Sequence, residues 1–293
     1  PHPAIVRIHG AGPADRRNGA DEFYAYHGIA FLSYDKRGVG QSTGDWRKAG
    51  VEELAGDALA GVQLLKSRPD IDTKRIGLGG GSEGGWVAPL VASRDPDIAF
   101  ILLVAGPVLS FAEEVLNEIE DSLRAFGFSG DDLKAALAFR KTINEMIRSG
   151  EALTDAGWEK VQTLAQKAQH EKWFPYVRPA AKRDWRQDKY HLMLRFDPQP
   201  LWEKTSIPVL ALYGGLDRNV PAARNVAALE GFLKKAGNKD YRIIVFPKAN
   251  HEGIEAERGF LDDEAETARW TRFVPGYFDT SLAWILSRGN RSK

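Results

Sequence analysis

Residues 79–86, "GGGSEGGW", decide the fold. They follow the run Arg75-Ile76-Gly77-Leu78 and lead into Trp86-Val87-Ala88-Pro89-Leu90-Val91. Two motifs overlap in this stretch. Gly79-x-Gly81-x-x-Gly84 fits the loop that cradles a dinucleotide pyrophosphate, and Gly80-x-Ser82-x-Gly84 fits the turn that presents a nucleophilic serine. Both need a strand before the loop and a helix after it.

The surrounding chain separates the two. A dinucleotide fold sets its glycine loop after the first strand, with an acidic ribose ligand roughly 20 residues on. Here the loop follows the third strand-like run, and the next run, Phe100 to Val104, leads into Ala105-Gly106-Pro107 with no Asp or Glu at its end. The serine reading asks for small residues two before and two after the nucleophile, so that strand and helix can approach. Gly80 and Gly84 meet that. It also asks for an acid and then a histidine, each just past a strand. Asp217 follows Pro208-Val209-Leu210-Ala211-Leu212-Tyr213 through Gly214-Gly215, and His251 follows Ile243-Ile244-Val245-Phe246. An oxyanion hole needs backbone N–H groups near the serine. Glu83, the residue after it, supplies one. The glycine-rich loop "HGAGPADR" at 9–16 supplies another, taken as the N–H of Ala11.

Strand-like runs lie at 4–8, 29–34, 75–79, 99–104, 208–213 and 241–246, apolar without strict alternation, as in a buried parallel sheet. Helical spacing over 51–66, 84–92, 222–235 and 268–286 alternates with them. Pro89 is a defect within the second of these helices, partly relieved by the missing side chain of Gly85. The alternation stops between 111 and 205, which reads as helices. Leu116, Ile119, Leu123 and Phe126 share one face there, and the later part is aromatic. The spacing therefore predicts a core of 1–110 and 206–293 with a helical insertion at 111–205. Trp173 and Trp185 are its candidate substrate contacts.

Composition fits a globular chain and narrows the partners. Lys plus Arg equals Asp plus Glu at 40 each, so no nucleic-acid-binding surface is expected. No apolar run reaches the length of a membrane span. With no cysteine, disulfides and thiolate metal sites are excluded. "HEGIE" at 251–255 misses the zinc-helix pattern because its fifth residue is Glu255. No metal or cofactor is expected. The chain opens at Pro1 without Met, almost directly on a strand, which reads as a processed or trimmed product. Composition assigns neither compartment nor oligomeric state. Asp35 and Arg37 in "DKRGVG" read as holding their own loop, and His9 as shaping the turn before Gly10.

Together "IHGAGPADR", "LSYDKRGVGQSTG", "GGGSEGGWVAP", "FDPQPLWEKTSIPVLALYGGLDRNVP" and "NHEG" resemble the α/β-hydrolase superfamily, most closely its bacterial esterase and acyl-hydrolase branch related to the serine aminopeptidases. The resemblance implies a mostly parallel sheet flanked by helices. It implies a Ser82–Asp217–His251 triad, with Glu83 and Ala11 as oxyanion donors, and a cap formed by the insertion. The antiparallel strands that usually open this fold have no room here. The expected activity is hydrolysis of a small carboxylic ester. The alternatives are an aminopeptidase or acyl-peptide hydrolase on the same triad, an acyltransferase, or a dinucleotide-binding protein.

Overall fold

The computed structural model describes residues 1–17, 19–179, 189–261, 264, 268 and 272–288. Six strands form one sheet: β1 His2–Ile8, β2 Ala30–Leu32, β3 Ile71–Gly81, β4 Phe100–Val104, β5 Val209–Gly214 and β6 Tyr241–Phe246. Their order is β2-β1-β3-β4-β5-β6 and every pairing is parallel. The register sets Val6 beside Leu78, Gly80 beside Leu103, Val104 beside Leu212 and Gly214 beside Phe246.

The central strands are continuous apolar runs because helices cover both faces. On one face α1, Gly19–Tyr26, and α11, Tyr277–Ser287, close over Ile5, Phe100, Leu102, Leu210 and Leu212 through Tyr24, Trp284 and Ile285. A buried hydrogen bond of 2.6 Å between the Tyr24 hydroxyl and Ser281 Oγ joins those two helices. The opposite face carries Val6 and Ile8, as strand alternation requires. There α2, Val51–Lys66, lays Gly61 on Val6, and α3, Gly84–Arg94, lays Gly84 on Ile8. The edge strand β2 is three residues long, which limits the open edge.

Chain contacts divide the molecule into two units. The first comprises residues 1–46, 51–108 and 198–293 and holds the sheet, together with α9, Gln199–Trp202, and α10, Ala222–Lys235. The second comprises 47–50 and 109–197 and is helical: α4 Phe111–Ala125, α5 Gly130–Arg148, α6 Asp155–Ala168, α7 Phe174–Val177 and α8 Tyr190–Met193. A capping box between Ser110 and Glu113 starts α4. Two apolar clusters hold this unit, one around Ile143, Ile147 and Val161 and one around Leu123, Leu133 and Trp173.

Several boundaries differ from the sequence reading. Strand β3 starts at Ile71 rather than 75, because Ile71 pairs with His2 despite the polar residues that follow it. The last helix starts at Tyr277 rather than 268. Pro275-Gly276 interrupts the backbone, Gly276 at φ +80°, and Phe273 bridges to Ile254 instead. Residues 198–205 group with the sheet, where Trp202 is fully buried, so the helical insertion ends at Asp197. No helix among the described residues is long and apolar enough to cross a membrane.

Candidate active site

Strands β1 and β3 are neighbours, yet the chain leaves β1 toward β2 on one side and β3 leads to β4 on the other. Open α/β sheets bind ligands at such a reversal, beyond the carboxyl ends of the strands. The loop after β1 and the turn after β3 both end there. Ser82 forms that turn with a left-handed φ of +47°, a strained conformation for a residue with a side chain. The turn is held from both sides: Ser82 N–H donates to Val104 O at 3.0 Å, and Gly85 N–H donates to Ser82 O at 2.7 Å. A methyl on Gly80 would lie 2.7 Å from Gly84 O, and one on Gly84 would lie 2.9 Å from Ile8 O. Strand, turn and helix approach this closely only without those side chains. Gly79, the first glycine of the dinucleotide motif, sits within the sheet between Arg7 and Leu102 and not in a turn. That placement counts against a pyrophosphate cradle.

Asp217 and His251 come from the loops after β5 and β6. These loops cross so closely that a methyl on Gly214 would meet Asn250 O at 2.4 Å. The Asp217 side chain is fully buried. Its Oδ2 accepts from His251 Nδ1 at 2.8 Å, and its Oδ1 accepts the N–H groups of Asn219 at 2.9 Å and Val220 at 2.8 Å. The carboxylate thus holds the ring with hydrogen on Nδ1, which leaves Nε2 as the basic nitrogen. Ser82 and His251 line one cavity of about 570 Å³, together with Gly10 and Ala11. The zinc-like "HEGIE" forms a turn and a bridge rather than a helix, and Glu255 pairs with Arg272 at 2.7 Å.

The loop after β1 and the serine turn are tied together by Lys36. Its ammonium donates to Gly10 O and to Glu83 Oε2, each at 2.7 Å, and both side chains of this ion pair are 2% exposed. Gly10 O and the Ala11 N–H belong to one planar peptide unit, so a grip on the carbonyl also orients the N–H. Ala11 N–H meets no acceptor among the described residues. His9 is buried, and its Nε2 donates to Tyr34 O at 2.6 Å. Burial first, and the Arg7 charge second, lower its pKa to about 4, so it stands neutral. Asp35 accepts from Gln41 N–H within its own loop, and also from the Arg16 backbone and guanidinium of the loop after β1. Hydrogen bonds from the Arg16 guanidinium and those two backbone groups hold its carboxyl far below the usual range. Arg37 reaches Asp57 on α2 at 2.7 Å, so Asp35 ties its own loop to the loop after β1 while Arg37 braces α2.

The two tryptophans proposed from the sequence fare differently. Trp173 is 5% exposed and packs with Leu123, Leu133, Ala136 and Val177 inside the helical unit. It is a core residue there and does not line the cavity of Ser82. Trp185 lies outside the described residues. Lys36 and Arg7 escaped the sequence reading. A lone arginine inside the apolar run "AIVRI" was a visible signal for Arg7, whereas nothing in the chain links Lys36 to Glu83, 47 residues away.

The family described as "Serine aminopeptidase, S33" matches residues 1–258. Esterase EstD of Thermotoga maritima is 27% identical over 293 residues, an alignment covering 92% of this chain and 62% of EstD. The chain therefore spans less than two thirds of that relative's length. Among solved structures, acetyl xylan esterase 1 from Thermoanaerobacterium sp. aligns with a TM-score of 0.53 at 15% identity, over 98% of this chain and 75% of that one. The esterase EaEST from Exiguobacterium antarcticum aligns with a TM-score of 0.54 at 14% identity, over 97% and 92%. At such identities the structures speak for the fold alone.

Proposed function

Because the chain belongs to the S33 serine aminopeptidase family and has the α/β-hydrolase fold, we propose that it is a serine hydrolase that cleaves small carboxylic esters through an acyl-enzyme on Ser82. One observation carries the reading. A strained serine and a histidine line the same cavity, and that histidine is held at 2.8 Å by a buried aspartate.

The chemistry proceeds in two halves. His251 Nε2 takes the Ser82 hydroxyl proton as Oγ bonds to the ester carbonyl carbon. The carbonyl oxygen becomes negative and is met by the N–H groups of Ala11 and Glu83. Asp217 stabilises the imidazolium. The carbon–oxygen bond to the alcohol then breaks, and the alcohol leaves with the proton from His251. Water gives a proton to His251 and attacks the acyl carbon; the bond from that carbon to Ser82 Oγ then breaks, Oγ takes the proton back from His251, and the acid is released. Ester and water are the only reactants consumed.

The cavity favours an ester over a peptide amine. An aminopeptidase must hold a free ammonium with a shielded carboxylate. The carboxylate lining this cavity, Glu252, is exposed. The test is a fluorophosphonate probe together with a panel of aryl esters and aminoacyl nitroanilides. Labelling of Ser82 and faster ester turnover are expected. Faster turnover of an aminoacyl nitroanilide than of the matching aryl ester would promote the peptidase reading.

A further inference from the structure

We infer that Arg7 forms an anion subsite in this cavity, and that the preferred substrate is an ester whose acid part has an apolar body ending in a free carboxylate. The inference rests on the hydrolase reading above and adds a substrate class to it.

Arg7 stands in β1, where alternation turns it to the same face as Ile5, the face covered by α1 and α11. It lines the cavity that Ser82 and His251 line. Its partner across the ladder is Gly79, three residues before Ser82. The strand rise puts those levels roughly 10 Å apart. From the Arg7 level toward Ser82 the sheet contributes Leu102 and Leu212, and Phe23, Phe31 and Phe278 add to a largely apolar lining. Glycine at 79 and 81 keeps side chains of β3 out of the space.

A guanidinium carries five N–H donors. Among the described residues Arg7 makes one contact, from Nη1 to Asp15 O at 3.4 Å, longer than an ordinary hydrogen bond. The Asp15 carboxylate is committed to Arg17 at 2.9 and 2.5 Å. Asp21 interacts with Arg7 only through the charge field. Burial lowers the Arg7 pKa, against the opposing charges of Asp21 and Asp15. A partly desolvated cation with donors to spare, in the wall of a largely apolar cavity, gains most from a planar oxyanion. The other ionisable group of the lining able to carry an opposite charge near neutrality, Glu252, sits exposed beside His251. A substrate carboxylate is therefore drawn to Arg7 and its ester carbonyl to Ser82.

The experiment compares the 4-nitrophenyl monoester of adipic acid with 4-nitrophenyl heptanoate, a neutral chain of similar length. The intact protein should favour the adipate monoester in kcat/KM, chiefly through KM. Arg7→Met should shrink the ratio of the two by roughly 10- to 100-fold, the range of a charge-assisted hydrogen bond, and Arg7→Lys should restore part of it. A measurement without substitution accompanies this: adipate should inhibit heptanoate hydrolysis competitively and more strongly than neutral adipamide. Heptanoate preferred by the intact protein, a ratio unmoved in Arg7→Met, or equal inhibition by adipate and adipamide would each overturn the subsite and leave the hydrolase reading standing. If neither ester is cleaved and Ser82 resists the fluorophosphonate, the hydrolase reading falls and takes the subsite with it.

Discussion

Lys36→Met removes a buried ammonium that makes two 2.7 Å contacts, one to a carboxylate and one to a carbonyl. Methionine keeps most of the length of the side chain and loses the charge. Glu83 then stays 2% exposed without its counter-charge. Breaking a buried pair from one side costs about 3–5 kcal/mol. At roughly 2 °C per kcal/mol for a chain of this size, Tm should fall by about 6–10 °C. A second loss is catalytic. The Gly10 carbonyl loses its anchor, and the Ala11 N–H in the same peptide is no longer aimed. Outright removal of an oxyanion donor costs about 10²–10³ in kcat, so a misaimed one should cost about 10–100. The double variant Lys36→Met/Glu83→Gln separates the two losses. Neutralising the Glu83 carboxylate should recover at least half of the stability, because a neutral group avoids most of the desolvation cost. It should not recover kcat, since Gly10 O is still unheld. The assay is thermal unfolding by circular dichroism beside single-turnover hydrolysis of an aryl ester. If kcat returned with stability in the double variant, or never fell in Lys36→Met, the link from Lys36 to the Ala11 N–H would be refuted.

Two further outcomes are expected. Ser82→Ala should abolish fluorophosphonate labelling and lower turnover by about 10⁴ or more with unfolding unchanged, and Asp217→Asn should lower it heavily too; near-normal activity in Asp217→Asn, with loss in Asp197→Asn, would move the acid to Asp197. His9 should make the fold acid-sensitive: folded, its pKa drops from 6.5 to about 4, so the unfolded chain binds the extra proton between those values and stability falls as pH falls through that window. The shift corresponds to roughly 3 kcal/mol, so urea midpoints at pH 7 and pH 4.5 should diverge more in the native protein than in His9→Gln, and equal divergence would remove His9 as the cause.

The sheet was legible because buried parallel strands are written as apolar runs, and β1, β4, β5 and β6 fall on the runs that predict them. The turn at Ser82 was legible because close approach of β3 and α3 demands glycine at 80 and 84. Helix α1 was not. Its eight residues, "GADEFYAY", carry too short a period, and it is held by α11 through Tyr24 and Ser281, 257 residues apart. The aromatic cluster was misread at Trp173 for a related reason. A large apolar side chain is written the same way whether it lines a pocket or fills a helical core, and only packing against Leu123 and Leu133 tells them apart. Lys36 and Glu83 were illegible in kind. A buried ion pair is two ordinary surface residue types until the fold removes water from both.

The left-handed backbone at Ser82 sets stability and activity against each other. An L-residue in that conformation carries a penalty of about 1–2 kcal/mol that glycine escapes. Ser82→Gly should therefore unfold at a higher temperature than Ser82→Ala, and on the proposed mechanism both should lose activity alike. Under selection for robustness alone, the easiest gain at this turn is the substitution that ends the chemistry. A serine persists there only while something depends on its hydroxyl.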